Sequence, residues 1–452
     1  MRIVTSDRNF YKTFFPLLIV ISLQLLASFA VNMVDNLMLG TYNELALSGA
    51  TIVNQVHFTL AQLVAGVASG VAVIGSQYWG KGEIDPIRRI TAIGLKFALL
   101  AGAVFFAVTL IIPDIVLRLF TADEAVIAEG VKYLKIMCWT FLIFTLSNTL
   151  MYSLQSVETA FIGTLMSVST IIINACLNYC LIYGNLGAPE LGIKGAAIAT
   201  LTSRVVELII ILVYIFFIDK KLKMRVRHLL SFDVKFLKDF LKISMPLVIS
   251  GALWGVAQAA QTSVLGHISA EVIAASSIAA IVSQIFAVFG IACASAASVT
   301  IGKTIGSGRL DLVRPYARTL QLIFVAIGLV SGAVLFTFKG IIVDLYSVSD
   351  ETRRLSIQFL TVLSITIVGT CYEYPAASGI IAGGGDTKYP AIIENIFTWL
   401  FVIPSAVLSA FVFGFPPIVT FICLKADQIL KCIPNGIRCN RYKWIRELTK
   451  TD

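Results

Sequence analysis

The sequence predicts an all-α polytopic membrane protein with twelve transmembrane helices, arranged as two six-helix repeats related by a pseudo-two-fold axis along the membrane normal. Of its 452 residues, 58% are hydrophobic and only 13% are charged, whereas a soluble domain carries about 25% charged residues. The mean hydropathy of +0.88 agrees with this composition. Long apolar runs recur along the whole chain, and part of the sequence of the first half is repeated in the second half. Together these observations exclude a surface that faces water on all sides.

The apolar runs are long enough to cross a bilayer, because about 20 helical residues span its hydrocarbon core. The first run follows three basic residues and could be taken for a signal peptide, but it is too long for a signal core, so we expect an uncleaved spanning helix. The last run is the weakest, because it is short and contains Lys425 and Asp427. The predicted spans are 14–39, 52–77, 90–112, 131–155, 159–184, 192–218, 237–265, 272–303, 316–338, 355–381, 389–413 and 416–433.

The distribution of basic residues predicts the orientation in the membrane. If the N-terminus is cytoplasmic, 26 of the 35 Lys and Arg residues fall in cytoplasmic segments, as the positive-inside rule requires. We therefore expect a plasma-membrane protein with both termini in the cytoplasm. The net charge of +9 is then explained by loops that face anionic lipid, and we expect no nucleic-acid partner.

The stretch GSQYWGKGEID at 75–85 resembles a phosphate-binding loop. Such a loop needs Ser or Thr after its Lys, but Gly82 follows Lys81, so we expect no nucleotide. The stretch has a partner in GKTIGSGRLD at 302–311, and a shift of 226 gives ten identities over residues 40–85. This indicates an internal repeat, with Gly80 and Gly82 ending a long helix and allowing a tight turn. The predicted organisation is an N-terminal six-helix lobe at 1–218, a cytoplasmic basic linker at 219–242 and a C-terminal six-helix lobe at 243–452.

Asp35, inside the first span, is the sharpest functional candidate, because an ionisable side chain at membrane depth is costly and marks a functional site. Such a carboxylate will be protonated or will hold a cation. Asn174 and Asn178 share one face of the fifth span. At 1.5 Å per residue, Asp35 and Asn178 lie about 6 Å and about 9 Å from their outer helix ends. Two alternatives remain: Asp35 as a residue of the outer interface, and the two Asn as bonds between neighbouring helices.

Four further residues are candidates for the lining of a substrate cavity: Glu207, Glu373, Gln55 and Gln261. Glu207 lies three residues after Arg204, so the two could instead neutralise each other. Glu373 precedes Pro375, which predicts a kink. Under the shift of 226, Gln261 corresponds to Asp35, so we expect a titratable site in the first half only. No catalytic set or metal-binding spacing is evident in the sequence, so we expect neither an enzyme nor a cofactor.

These residues resemble the multidrug and toxic compound extrusion (MATE) family of secondary transporters, in its bacterial branch, over nearly the whole length. The resemblance implies two six-helix lobes around a central cavity and export of organic cations and drugs, driven by H⁺ or Na⁺ through rocker-switch alternation. It places the family's N-lobe cation site on Asp35, Asn174 and Asn178. The matching stretches are VDNLMLG at 34–40, GSQYWGKG at 75–82, NACLNYCLIYGNLGAPELGIKGAAIAT at 174–200, GGGDTKYP at 383–390 and CLKADQILKCIPNGIRCNRYKWIRELT at 423–449.

The chain also departs from the family pattern. Some members have Asp at the position of Asn178, others have an acid on the seventh span, and Ala382 replaces the usual Arg. These departures leave open whether the coupling ion is Na⁺ or H⁺, and whether Glu373 forms a second cation site. The expected partners are cationic amphiphilic small molecules and the lipid bilayer, and we expect a monomer. The alternatives are a flippase for lipid-linked substrates, which would need a strongly basic cavity, and an intramembrane enzyme.

Overall fold

The computed structural model of the protein describes residues 4–231, 233–346 and 348–449. All regular secondary structure in these three ranges is helical. The helices are α1 (Arg8–Tyr42), α2 (Glu44–Lys81), α3 (Ile84–Ile111), α4 (Pro113–Arg118), α5 (Glu124–Ser156), α6 (Phe161–Tyr183), α7 (Ile193–Val213), α8 (Val226–Leu230), α9 (Val234–Gly266), α10 (Ala270–Gly306), α11 (Leu310–Asp344), α12 (Asp350–Tyr374), α13 (Lys388–Ile396), α14 (Ile403–Val407), α15 (Pro417–Lys425), α16 (Asp427–Leu430) and α17 (Cys432–Arg441).

Eleven helical segments within the described ranges are long and apolar enough to cross a membrane. They correspond to the first eleven predicted spans. The predicted span 416–433 differs, because the structure divides it among the short helices α15, α16 and α17. Its charged residues explain the difference, since Lys425, Asp427 and Lys431 interrupt the apolar run and Lys431 turns inward to form ion pairs.

The chain forms two compact units. The N-terminal unit comprises Leu23–Gly75 and Glu83–Val248, and the C-terminal unit comprises Met1–Ser22, Ser76–Gly82 and Ile249–Asp452. The lobe and linker ranges predicted from the sequence stay a prediction. They include residues 1–3, 232, 347 and 450–452, which lie outside the described residues.

The helices themselves repeat with the period that the sequence predicts. Adding 226 to the first residues of α1, α2, α3 and α5 gives the first residues of α9, α10, α11 and α12. The turns after α2 and α10 repeat as well, because Gly82 has φ +83° and Gly308 has φ +74°. Left-handed backbone of this kind suits glycine, which has no Cβ to clash with the preceding carbonyl.

Each unit packs its helices around a long central one. In the N-terminal unit, α5 packs against α3 and α7, and α6 packs against α7. In the C-terminal unit, α12 packs against α10 and α11. There Phe359 of α12 stacks on Phe421 of α15 with ring centroids 4.1 Å apart, inside a buried apolar cluster. Many large apolar side chains on the outer faces of the helices remain exposed, as a lipid-facing surface requires.

The glycines at the end of α2 serve two different purposes. Gly82 ends the helix, as predicted, but Gly80 lies inside it, so the prediction that Gly80 also ends the helix was wrong. A Cβ at Gly80 would collide with the carbonyl oxygen of Lys303, and a Cβ at Gly306 would collide with that of Gln77. Because Gly306 and Lys303 are the repeat equivalents of Gly80 and Gln77, the end of α2 and α10 cross reciprocally, as at a local two-fold axis.

The C-terminal segment is fixed to this same crossing within the C-terminal unit. Gln77 donates from Nε2 to the carbonyl of Arg446 at 3.0 Å, and its Oε1 accepts from the backbone N–H of Leu448 at 2.7 Å. The indole of Trp444 is fully buried and lies against Gly384, where a Cβ would occupy the same space. The GGGD stretch therefore serves close packing of the C-terminal segment.

Candidate functional site

The three predicted cation-site residues meet in the N-terminal unit, where α1, α6 and α7 contribute to one ring of hydrogen bonds. Asn178 of α6 donates from Nδ2 to Asp35 Oδ1 of α1. The same Nδ2 donates to Asn174 Oδ1 at 3.1 Å, one helical turn earlier. Asn174 Nδ2 donates to Thr200 Oγ1 of α7 at 3.2 Å, and Thr200 donates to Asp35 Oδ2 at 3.4 Å. The depth argument from the sequence therefore placed Asp35 and Asn178 correctly with respect to each other.

The side chains of this ring are almost completely shielded from solvent. Asp35 is 6% exposed, and Asn174 and Asn178 are completely buried. A charged carboxylate in such a place is tolerated only when hydrogen bonds and a cation or proton replace its hydration. Asn178 Oδ1 is buried and has no hydrogen-bond partner among the described residues. An unpartnered carbonyl oxygen next to a buried carboxylate is free to accept a hydrogen bond from the protonated carboxyl group or to coordinate a cation.

Thr200 belongs to the ring, although the sequence analysis did not select it as a site residue. The signal that could have found it is its depth, because α7 runs back beside α6 and brings Thr200 level with Asn174. With Thr200, the ring offers five oxygen atoms on four side chains: two of Asp35 and one each of Asn174, Asn178 and Thr200. Hard oxygen ligands of this kind suit alkali cations.

Arg204 and Glu207 form the ion pair that their spacing predicted. Arg204 Nη1 lies 2.7 Å from Glu207 Oε2, and Ser147 Oγ donates to Glu207 Oε1 at 3.0 Å. The guanidinium of Arg204 also lies over the ring of Phe144, 5.6 Å from its centroid. Arg204 thus neutralises Glu207 within the same helix. Asp35 has no basic partner at hydrogen-bond distance in the described part of the chain.

A family model described as MatE matches residues 21–180 and 246–408, which together make up most of the chain. The chain belongs to the MatE family. The match includes Asp35, Asn174 and Asn178 and extends over both repeats, so the resemblance inferred from the sequence motifs is confirmed.

Solved and curated proteins agree with this membership. A probable multidrug resistance protein NorM of Streptococcus pneumoniae is 28% identical over 415 residues, covering 88% of this chain and 87% of the relative. A MOP superfamily transporter from Pyrococcus furiosus has a TM-score of 0.88 at 18% identity, covering 99% of this chain and 100% of that one. A variant of the Vibrio cholerae MATE transporter VcmN has a TM-score of 0.86 at 16% identity, covering 97% and 98%. The predicted fold class is therefore confirmed, and the protein is a multi-pass membrane transporter.

In this MatE protein, Glu373 is part of a buried charge cluster in the C-terminal unit that the sequence did not reveal. Lys431 Nζ lies 2.7 Å from Glu394 Oε2, 2.9 Å from Asp427 Oδ2 and 3.4 Å from Glu373 Oε1. The side chain of Lys431 is 4% exposed and that of Glu373 is 7% exposed. Sequence reasoning missed the cluster because its members come from α12, α13, α16 and the residue after α16. The predicted kink at Pro375 marks a change to i→i+5 hydrogen bonding, seen between Ala382 and Ala377.

The two predicted glutamines are not brought to the ring. Gln55 of α2 is half-buried, and no hydrogen bond joins its side chain to Asp35 among the described residues. Gln261 of α9 is half-buried in the C-terminal unit. Their predicted roles in a substrate cavity stay predictions, as do those of Glu207 and Glu373.

Proposed function

We propose that the protein is a secondary active antiporter that exports organic cations and drugs in exchange for Na⁺, by rocker-switch alternating access. Membership of the MatE family supports transport, and the relatives described as probable multidrug resistance proteins support drugs as the exported class. Export driven by an ion needs a site whose occupancy by the ion and by the drug is linked. Asp35 is the group around which that linkage is built.

The observation that carries the proposal is the buried ring of Asp35, Asn174, Asn178 and Thr200. It holds one carboxylate in a nearly dry place, so an empty and ionised ring is unfavourable. A bound cation neutralises it, and its release leaves a charge that a cationic drug can stabilise in turn. Competition of two cations for one buried carboxylate makes exchange obligatory, because neither the ion nor the drug leaves at low cost unless the other replaces it.

Sodium is favoured over the proton because of the oxygen atoms around the carboxylate. A proton needs only Asp35 and one acceptor, whereas the ring presents five oxygen atoms, including the unpartnered Asn178 Oδ1. One carboxylate and several neutral oxygens match a monovalent cation in charge. A lipid-linked anionic substrate is not favoured, since Arg204 within the spans is already paired with Glu207.

The proposal is tested by dye efflux in everted membrane vesicles at fixed pH with the membrane potential clamped. We expect an imposed Na⁺ gradient to drive efflux by the wild-type protein, and the variant Asp35→Asn to insert and fold but not to transport. A control variant should transport normally: Asp114→Asn, which makes the same change at an exposed acid of α4. Gln261→Ala, at the repeat equivalent of Asp35, should reduce transport much less than Asp35→Asn does. Efflux that follows a pH gradient and ignores Na⁺ would overturn the choice of ion. Wild-type efflux by Asp35→Asn would overturn the site.

A further inference from the structure

A polar cavity lies outside the ring of Asp35, Asn174, Asn178 and Thr200, at the ends of helices in the N-terminal unit. It has a volume of about 560 Å³ and is lined by residues of α3, of α8 and of the start of α9. Three arginines face it: Arg88 and Arg89 from the beginning of α3, and Arg227 from α8. None of these residues belongs to the ring around Asp35.

The arginines differ in how far their donors are already used. Arg88 donates from Nε to the carbonyl of Leu222 at 2.7 Å, and its Nη1 pairs with Asp85. Arg89 pairs through Nη1 with Asp233 at 2.6 Å, which leaves its other N–H groups available. Arg227 is exposed, and the described part of the chain provides no hydrogen-bond or ion-pair partner for its guanidinium. The cavity thus holds one unpaired positive charge beside two paired ones.

His228 is the histidine that lines the cavity, and the neighbouring arginines affect its protonation. Burial lowers the pKa of His228, and the charges of Arg88 and Arg227 lower it further. The imidazole is therefore neutral at pH 7, and its Nδ1 accepts a hydrogen bond from the backbone N–H of Arg225 at 3.1 Å. An anion entering the cavity would meet arginine donors and no unpaired carboxylate, since Asp85 and Asp233 are each held by an arginine.

The segment that carries Arg227 is fixed in place by α3. Lys96 Nζ donates to the carbonyls of Leu230 and Ser231, at 3.1 and 2.6 Å. Arg88 holds the segment before α8 through the carbonyls of Leu222 and Lys223. The cavity is therefore preformed, and a ligand would not have to order the chain around it.

The same segment also exposes apolar side chains. Val226 and Leu230 of α8 are 59% and 74% exposed, and Val234, which lines the cavity at the start of α9, is 69% exposed. Exposed aliphatic side chains beside basic ones, at the end of spanning helices, are typical of a segment that lies in the membrane interface. A ligand that satisfies both surfaces carries an anionic group and an apolar chain.

We propose that this cavity binds the phosphate group of an anionic phospholipid, with Arg227 and Arg89 as donors to the phosphate and Leu230 in contact with the acyl region. Arginine suits phosphate because its planar guanidinium donates two parallel hydrogen bonds. Basic cavities between helix ends bind anionic head groups in the same way. The apolar face distinguishes a lipid from free phosphate, which would need only the arginines.

The test is native mass spectrometry of the full chain purified in detergent and titrated with phosphatidylglycerol, with phosphatidylcholine as the zwitterionic comparison and inorganic phosphate measured separately by equilibrium dialysis. We expect phosphatidylglycerol to bind more tightly than phosphatidylcholine. The variant Arg227→Gln should weaken phosphatidylglycerol binding about fivefold, the worth of one interfacial arginine. Leu230→Ser should weaken it as well. Arg441→Gln removes another exposed arginine, outside the cavity, and should have no effect.

Three results would overturn the inference. The first is unchanged phosphatidylglycerol binding in Arg227→Gln, with the variant shown to be folded by its melting temperature. The second is equal weakening by Arg227→Gln and Arg441→Gln, which would indicate general surface charge rather than a site. The third is binding of inorganic phosphate that depends on Arg227 while Leu230→Ser leaves lipid binding intact, which would replace the lipid by a free anion.

Discussion

Replacing Thr200 by Val removes one oxygen from the ring and keeps the shape of the side chain. The hydroxyl accepts from Asn174 Nδ2 at 3.2 Å and donates to Asp35 Oδ2 at 3.4 Å. The second contact is longer than a good O–H···O bond, so its contribution lies near the lower end of the range for charged acceptors, about 1.5 kcal/mol. Loss of the first contact leaves an N–H of the fully buried Asn174 without an acceptor, which costs about 1–3 kcal/mol of folding free energy.

For the bound ion, the same change removes one of five oxygen ligands. A loss of about 1.4 kcal/mol corresponds to a tenfold weaker equilibrium. We therefore expect Thr200→Val to raise the Na⁺ concentration for half-maximal efflux about tenfold and to leave the maximal rate within about twofold. Thr200→Ser keeps the hydroxyl and should restore the wild-type value.

The assay is dye transport into the lumen of everted vesicles, the direction that corresponds to efflux from the cell, as a function of Na⁺ at fixed pH. Thr109→Val is the matched control, because Thr109 is buried in α3 and its hydroxyl donates within its own helix, to Phe105 at 2.7 Å and to Phe106 at 3.2 Å. A Thr200→Val variant with the wild-type half-saturation, or a control with the same shift, would refute the assignment of Thr200 to the ion site.

Three other predictions concern stability. Gly80→Val should lower the free energy of unfolding by about 3 kcal/mol, since its Cβ meets backbone of Lys303, whereas Gly340→Val meets open space; melting temperatures and folded yield test this. Lys431→Met leaves three carboxylates without their buried cation and should lower the free energy of unfolding by about 3–5 kcal/mol, tested by the same measurements. The hydroxyl of Tyr316 donates a hydrogen bond to the carboxylate of Asp7 and lowers the pKa of that group. The hydrogen bond therefore stabilises the fold above the ordinary carboxyl pKa, and this stabilisation is lost as the pH falls. Asp7→Asn should therefore make the melting temperature less dependent on pH between about 5 and 3; an unchanged slope would contradict it.

The sequence revealed the features of the fold that depend on composition and local spacing. The length of the apolar runs located eleven of the spanning segments. The similar stretches at 75–85 and 302–311 located the repeat. Turns at Ala426 and Lys431 interrupt the last predicted span, although the backbone keeps right-handed helical angles at both residues. A count of apolar residues does not show that Lys431 turns inward. Which side chain neutralises a buried charge depends on helices that are distant in sequence.

The candidate site was predictable in the same partial way. Asp35 was evident as a carboxylate at membrane depth, and Asn174 and Asn178 as two amides on one helix face. The bond from Asn178 to Asp35 spans 143 residues. Equal depth and the family resemblance both suggested that the two residues meet. Thr200 gave no signal by residue type, since threonines are common in spanning helices and most of them bond to their own backbone. The role of Gly80 was missed because a glycine near a helix end suggests a turn before it suggests a crossing.

The central claim is that the ring around Asp35 binds the ion that is exchanged for the drug. It is tested most directly by equilibrium binding of ²²Na⁺ to the purified protein, in the presence and absence of a cationic dye. The account predicts one saturable Na⁺ site that the dye displaces competitively, that Thr200→Val weakens and that Asp35→Asn abolishes. Sodium binding that survives in Asp35→Asn, or that the dye leaves unchanged, would contradict it.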